Sequence, residues 1–425
     1  MTRDLREAFI SLVRLGIGHT DTTDIIDKVD WVALKALAAK QGLTAVVLDG
    51  IGTLQKAAKP SERVQEFKVE MPQKLRRQWI GEVIRFYENR YQQYEKAIGS
   101  LAGFYNQHGF KMMLLKGYAC SLDWPKPNHR QCGDIDIWLF GKQKEADALL
   151  ESLEFRVEGL EPVNKVQRIK IDNSHHHHTV FRWEGFSVEN HYDFVNVYAK
   201  KSSKELEVIF KELGNESNVN PNVNFNDNPN DNDNSLKPET WNLKPETWNL
   251  KPETSLRGTR IPSVEVNGEK VYLPSPDLHA LFLLKHTMMH FASEGIMLRQ
   301  LLDWAFFVEN HGTEVDWAYV IAVLDNFGMR QMFNIMNAIC VYDLGFDEGL
   351  FPEVQYVPDM KDKVLNEILE PRYSASVPKD FFTRIVFKIR RWRDNRWKHR
   401  LCYNDSLWSA FWRGVWGHLL KPASI

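Results

Sequence analysis

From Gly133 to Leu139 the chain reads Gly-Asp-Ile-Asp-Ile-Trp-Leu, with charge and apolar bulk alternating at the period of a β-strand. Side chains on a strand point to opposite faces in turn. Asp134 and Asp136 therefore share one face, about 7 Å apart, and Ile135, Ile137 and Leu139 share the other. Carboxylates held that close repel. Such a pair stands either on the solvent face of an amphipathic edge strand or around a divalent cation. Three neighbours favour the cation: Gly133 immediately before the pair, Lys116-Gly117 after the apolar Met112–Leu115, and a further acid downstream. Mg²⁺ is bound through one or two carboxylates plus substrate phosphates. Lys116 and Arg130 flank the strand with the charge that a phosphate requires.

The further acid lies in a hairpin, Val180–Trp183 and Phe186–Phe194, turned at Glu184-Gly185. Glu189, His191 and Asp193 share a face of its second strand. Glu189 is the expected third carboxylate, completing a cage for two ions, with Asp193 as its substitute. Just upstream runs His175–His178. Alternation along a regular strand sends only two of these imidazoles to one face, which excludes a four-histidine centre there. One or two of them, His178 included, are expected to line the cleft. A zinc site from His176, His178 and His191 is the alternative, and a metal-dependent hydrolase is the activity it would imply.

The first hundred residues read as helices: 4–18, 30–58 (Gln41-Gly42 ending the helix that starts at Val29-Asp30-Trp31), and about 72–108. The last carries a stripe of Trp79, Ile80, Val83, Phe86, Tyr87, Tyr91, Tyr94, Ile98 and Leu101, an ordinary packing face. Strands and helices then mix over 109–274, indicating an α/β or α+β domain. Residues 214–255 read as an insertion. Asn215–Asn234 is too polar to order itself, and Leu-Lys-Pro-Glu-Thr-Trp-Asn follows twice and a half, with a proline in each copy that forbids a coiled coil. A second hairpin turns at Asn267-Gly268, and Ser275-Pro276 reads as a helix N-cap with proline at the first helical position. A helical domain spans 275–350. In it His286 and His290, and Arg299 and Asp303, lie four apart. The second pair is either an i,i+4 salt bridge or part of the site.

From 351 to 425 the chain is basic and rich in tryptophan. Arg384 to Arg400 holds eight Lys or Arg against one Asp, and Trp408, Trp412 and Trp416 follow at i,i+4 spacing. That pattern suits a surface helix on an anionic membrane or RNA, or a tryptophan face packed inward. The net charge of −2 argues against a nucleic-acid binder driven by bulk charge. The four cysteines show no paired spacing, and no signal peptide or 18-residue apolar run occurs, which places the protein in the cytoplasm without a transmembrane segment.

Leu115-Lys116-Gly117, Arg130, Gly133-Asp134-Ile135-Asp136-Ile137 and Val188-Glu189-Asn190-His191 together resemble the uncharacterised bacterial nucleotidyltransferase family of the polymerase-β superfold. Val29-Asp30-Trp31 and Leu298–Asp303 share the likeness, which covers about residues 25 to 330. Two features depart from the superfamily. Its turn usually lies nearer the acidic pair than Lys116-Gly117 does, and its third acid is more often Asp than Glu. The resemblance implies an α+β fold, a polymerase-β-like mixed sheet flanked by N-terminal and C-terminal helical regions. It implies transfer of a nucleoside monophosphate from a triphosphate such as ATP, with two Mg²⁺ (or Mn²⁺) on Asp134, Asp136 and Glu189. Lys116, Gly117, Arg130 and Gly133 would meet the phosphates. His191 would position the acceptor or support the ligands, with Asp193, His178, His290, Arg299 and Asp303 as further candidates for those roles. The acceptor (a small molecule, an RNA end or a protein) is left open. So is a nucleotidyltransferase fold without turnover that serves as a binding protein, docking a partner through 384–416.

Overall fold

The computed structural model describes residues 1–19, 29–57, 71–152, 154–156, 166–196, 201–224, 260–373, 378, 380–409 and 412. Nine strands are described: β1 Met113–Leu114, β2 Ile135–Trp138, β3 Glu154–Arg156, β4 Val166–Arg168, β5 His178–Trp183, β6 Phe186–His191, β7 Val219–Asn224, β8 Ile261–Val266 and β9 Glu269–Tyr272. Seven of them form one mixed sheet in the order β5-β6-β2-β1-β9-β8-β7, and β3 pairs β4 separately. The strands β2 and β6, β1 and β9, and β7 and β8 run parallel, and the other pairs antiparallel.

Both expected hairpins form. Glu184 and Gly185 (φ 45° and 84°) and Asn267 and Gly268 (φ 51° and 80°) hold positive φ at both turn positions, the backbone twist that two-residue hairpins need. The expected insertion starts later than its composition suggested. Residues 216–218 make a short 3₁₀ turn, and β7 adds to β8 as an edge strand. Ladder bonds satisfy a polar backbone there, and an edge position tolerates Pro221, which has no N–H to donate. The repeat at 236–254 lies outside the described residues.

The long helix is interrupted. Gln73–Val83 passes through a π-helical segment, Ile84–Glu88, into Asn89–Gln107. The extra residue in the wide turn shifts the helical phase. Trp79, Val83, Tyr87, Tyr91, Tyr94, Ile98 and Leu101 are buried, whereas Ile80 and Phe86, expected in the same stripe, are exposed. The second half of this helix packs on the sheet with Ile135, Ile137 and Val188. A separate core unites helices from both ends of the chain: Phe9, Leu12 and Leu34 share it with Leu301, Trp304, Phe333 and Leu365. Gln41 ties these ends together, donating to Ile368 O (3.0 Å) and accepting from Leu298 N (2.8 Å). Pro276 opens the helix Pro276–Ser293 as expected, but the Ser275 hydroxyl makes no capping bond and is buried without a partner.

Candidate active site

The two acids of the central strands are brought side by side by register. Leu115 N–H donates to Asp136 O (3.0 Å), which seats the Lys116-Gly117 turn against β2. On the other side of β2, Asp136 pairs with Glu189 of β6. His191, two residues on, shares the face of Glu189. Lys116 Nζ lies 2.9 Å from Asp136 Oδ1, and His191 Nε2 lies 3.3 Å from the same oxygen and 3.7 Å from Glu189 Oε2. One donor atom from each of Asp136, Glu189 and His191 falls within 4.8 Å of the others.

Charge in this cluster is set by mutual contact. Burial opposes ionisation of Glu189, but the hydrogen bond with His191 and the charge of Lys116 win, lowering its carboxyl to about 2. Burial likewise opposes protonation of His191, and its bonds to Asp136 and Glu189 outweigh it, so the imidazole is raised above its ordinary value. Lys116 is raised for the same reason: desolvation is overcome by Asp136 and Glu189. Asp134 is pushed up, by partial burial first and by Glu189 and Asp136 next.

Asp134 sits one residue ahead of β2, exposed at the mouth of a cleft of about 150 Å³ that Lys116, Gly133, Asp136, His286, Thr287 and Arg299 help to line. Tyr94, which sequence periodicity gave only a packing role, donates its hydroxyl to Asp134 O at 2.7 Å and fixes the approach to the strand. The same hydroxyl crowds Gly117. With φ at +63°, that residue is where a Cβ would stand 2.6 Å from Tyr94 Oη, so the turn requires glycine.

Several of the expected site residues are engaged by other side chains. Arg130 lines the cleft and pairs there with Asp303: its Nε and Nη2 donate to Asp303 Oδ1 and Oδ2 at 2.7 and 2.8 Å, with both side chains 6% exposed. Asp303 also accepts from Trp124 Nε1 (2.9 Å). The i,i+4 bridge from Arg299 is therefore not made. Arg299 Nη1 donates instead to Gln131 O at 2.6 Å, its buried Nε has no hydrogen-bond partner, and among the described residues it has no ion pair. Asp193 does not share the face of Glu189 and His191. β6 ends at His191, the alternation ends with it, and Asp193 pairs with Lys211 on the helix Lys201–Leu213. His290 packs on His286 (ring centroids 4.5 Å apart) and lies 3.8 Å from Glu294, one turn from the cleft. His178 reaches the cluster from β5. The histidine beside it is His177 rather than His176, because the chain bends before β5 and strand alternation does not apply there.

A mixed sheet that carries paired acids on adjacent central strands, above a Lys-Gly turn and under a helical cover, is a nucleotidyltransferase-type fold. The chain belongs to the family described as "Uncharacterised nucleotidyltransferase", whose sequence profile matches residues 27–222 and 240–342. Among solved structures it is similar to an antigenic nucleotidyltransferase-like protein from Paracoccidioides brasiliensis. The match has 13% identity, covers 62% of this chain and 94% of that one, and has a TM-score of 0.28. No curated protein matches the chain. Membership of the family supports a transferase with a nucleotide substrate. Among the described residues no helix is long and apolar enough to cross a membrane.

Proposed function

We propose that the protein is a Mg²⁺-dependent nucleotidyltransferase, moving a nucleoside monophosphate from a nucleoside triphosphate to a hydroxyl or phosphate acceptor. The observation that carries this reading is the register of Asp136 beside Glu189 over the Lys116-Gly117 turn. The donor set fits a divalent cation: carboxylate oxygens of Asp136 and Glu189 are gathered at one point, with Asp134 at the edge. Magnesium held by Asp134, Asp136 and Glu189 would neutralise the triphosphate and activate the attacking oxygen in a two-ion, in-line displacement.

The protein's own groups supply the rest. Lys116, held protonated by the acids, meets the phosphates. Gly117 and Gly133 let the backbone approach them closely. Arg299, in the place expected of Arg130, is the guanidinium without an ion pair that lines the cleft, and charge-assisted bonds to phosphate would satisfy its Nε. Arg130 acts at one remove, anchoring the 130–134 segment to the helix Leu298–His311. His191 orients Asp136 and Glu189. His286 and Thr287 are placed to contact the base or the acceptor.

A binding protein without turnover is the second reading, and one contact favours it: Lys116 and His191 already neutralise Asp136. The absence of a disulfide among the described cysteines supports a cytoplasmic location. Ile385, Val386, Ile389, Trp408 and Trp412 are exposed among arginines, and we assign that surface to contact with an anionic membrane.

The test is incubation with each α-phosphate-radiolabelled nucleoside triphosphate, Mg²⁺ and a cell extract, beside Asp136→Asn and Glu189→Gln controls. Label should pass to a protein, RNA or metabolite fraction and be lost in both controls. Absence of transfer from every nucleotide in an acceptor-rich extract selects the binding protein.

A further inference from the structure

Three imidazoles converge beside the carboxylates, and two of them, His177 and His178, have no role in the transfer described above. His178 pairs with His191 across the β5–β6 ladder, so both rings stand on one face of the sheet. His177 joins them from the bend before β5. Its position is fixed by its own carbonyl, which accepts from both Tyr192 N and Asp193 N at 3.1 Å. Ring centroids lie 4.4 Å apart for His177 and His178, 5.2 Å for His178 and His191, and 5.5 Å for His177 and His191. One donor nitrogen from each lies within 4.8 Å of the others. Neither ring nitrogen of His178, whose side chain is 7% exposed, has a hydrogen-bond partner, and Nδ1 of His177 has none either. Leaving a buried polar atom unpaired costs about 1–3 kcal/mol, so unpaired nitrogens on both His177 and His178, beside His191, call for an occupant.

We propose that His177, His178 and His191 form a binding site for a late first-row divalent cation such as Zn²⁺ or Fe²⁺, one that shares His191 with the neighbouring carboxylate cluster. Imidazole nitrogen suits these metals, whereas Mg²⁺ and Ca²⁺ take oxygen. A tetrahedral zinc with Zn–N bonds of about 2.0–2.1 Å spaces its donors about 3.4 Å apart, within reach of small ring rotations from the observed positions. Two carboxylates adjoin the three rings: Glu189 Oε1 lies 3.9 Å from His178 Nε2, and Asp136 Oδ1 lies 3.3 Å from His191 Nε2. Three protein ligands with an open fourth position is the arrangement of catalytic zinc.

The site is tested on the full chain, stripped with a chelator and titrated with Co²⁺ by visible d–d absorption, then with Zn²⁺ in competition. One equivalent should bind, with the band of a nitrogen-ligated ion. His177→Gln and His178→Gln should each weaken binding about tenfold or more. His175→Gln and His176→Gln, in the same run, should leave it unchanged. Circular dichroism confirms the fold of each variant, and the wild-type spectrum decides the matter if a variant fails to fold. No stoichiometric cobalt band, or equal loss in all four histidine variants as for a tag-like surface run, overturns the proposal. The readout is independent of transfer: a cobalt band without label transfer refutes only the transferase reading, and transfer without the band refutes only this site.

Discussion

Replacing Asp303 tests whether Arg130 holds the fold together or serves the substrate. Asp303→Ala would strand a buried guanidinium that now makes bonds of 2.7 and 2.8 Å to it. Breaking one side of a buried pair costs about 3–5 kcal/mol, because the remaining charge keeps its desolvation penalty. Trp124 Nε1, 2.9 Å from the same carboxylate, loses its acceptor too, which adds about 1–3 kcal/mol if no water replaces it. The two losses share a partner and do not add fully, so a total near 5 kcal/mol is expected. That is a large share of the roughly 5–15 kcal/mol that stabilises a native protein. Urea denaturation followed by tryptophan fluorescence reads the shift. Arg130→Met with Asp303→Leu should recover most of it, since a well-packed apolar pair replaces the ion pair without stranding a charge. The decisive contrast is with Arg299→Met, which should cost little stability and remove nucleotide affinity. If Asp303→Ala costs under about 1 kcal/mol, or if Arg130 and Arg299 variants lose nucleotide binding alike at unchanged stability, the structural assignment of Arg130 is wrong.

Gly117→Ala should destabilise the turn by about 1–3 kcal/mol through the left-handed φ and the clash with Tyr94 Oη, and Tyr94→Phe should relieve only the clash; thermal shift on both single variants and the double checks this. His311 lies between Asp123 (2.9 Å) and Glu314 (3.0 Å). Burial opposes its charge, but the hydrogen bonds to those carboxylates prevail and raise it to about 9. Its folded value exceeds the unfolded one, so its contribution is full below about pH 6.5 and fades as pH rises through about 9, by on the order of 2 kcal/mol. His311→Gln should flatten stability over that window, measured by urea midpoints at successive pH values. Sedimentation with vesicles containing anionic lipid should capture the protein, and Ile385→Glu with Ile389→Glu should release it; binding to neutral vesicles alone, or capture unaffected by the variant, refutes the membrane surface.

Residue pattern alone determined the local features of this protein. Period-two alternation put Asp136 on a strand face, Asn267-Gly268 is a hairpin turn because few other dipeptides accept positive φ at both positions, and Gly185 supplies the second such position of the other hairpin. Family likeness, carried by the acidic strand and the Glu-Asn-His strand, extended this to the fold and the transferase class. Tertiary structure decided what depends on distance along the chain. Arg130 and Asp303 are 173 residues apart, and no local signal distinguishes an arginine bound for phosphate from one bound for a buried aspartate. Asp193 looked equivalent to Glu189 because alternation extrapolates past a strand's end, whereas the ladder stops at His191 when β2 runs out of partners. His177 entered the cluster for the opposite reason, since a bend held by Tyr192 and Asp193 amides turns a ring that strand geometry would have sent away. Periodicity reports which way a side chain leaves its own backbone; what it meets there is set by segments folded against it from elsewhere in the sequence.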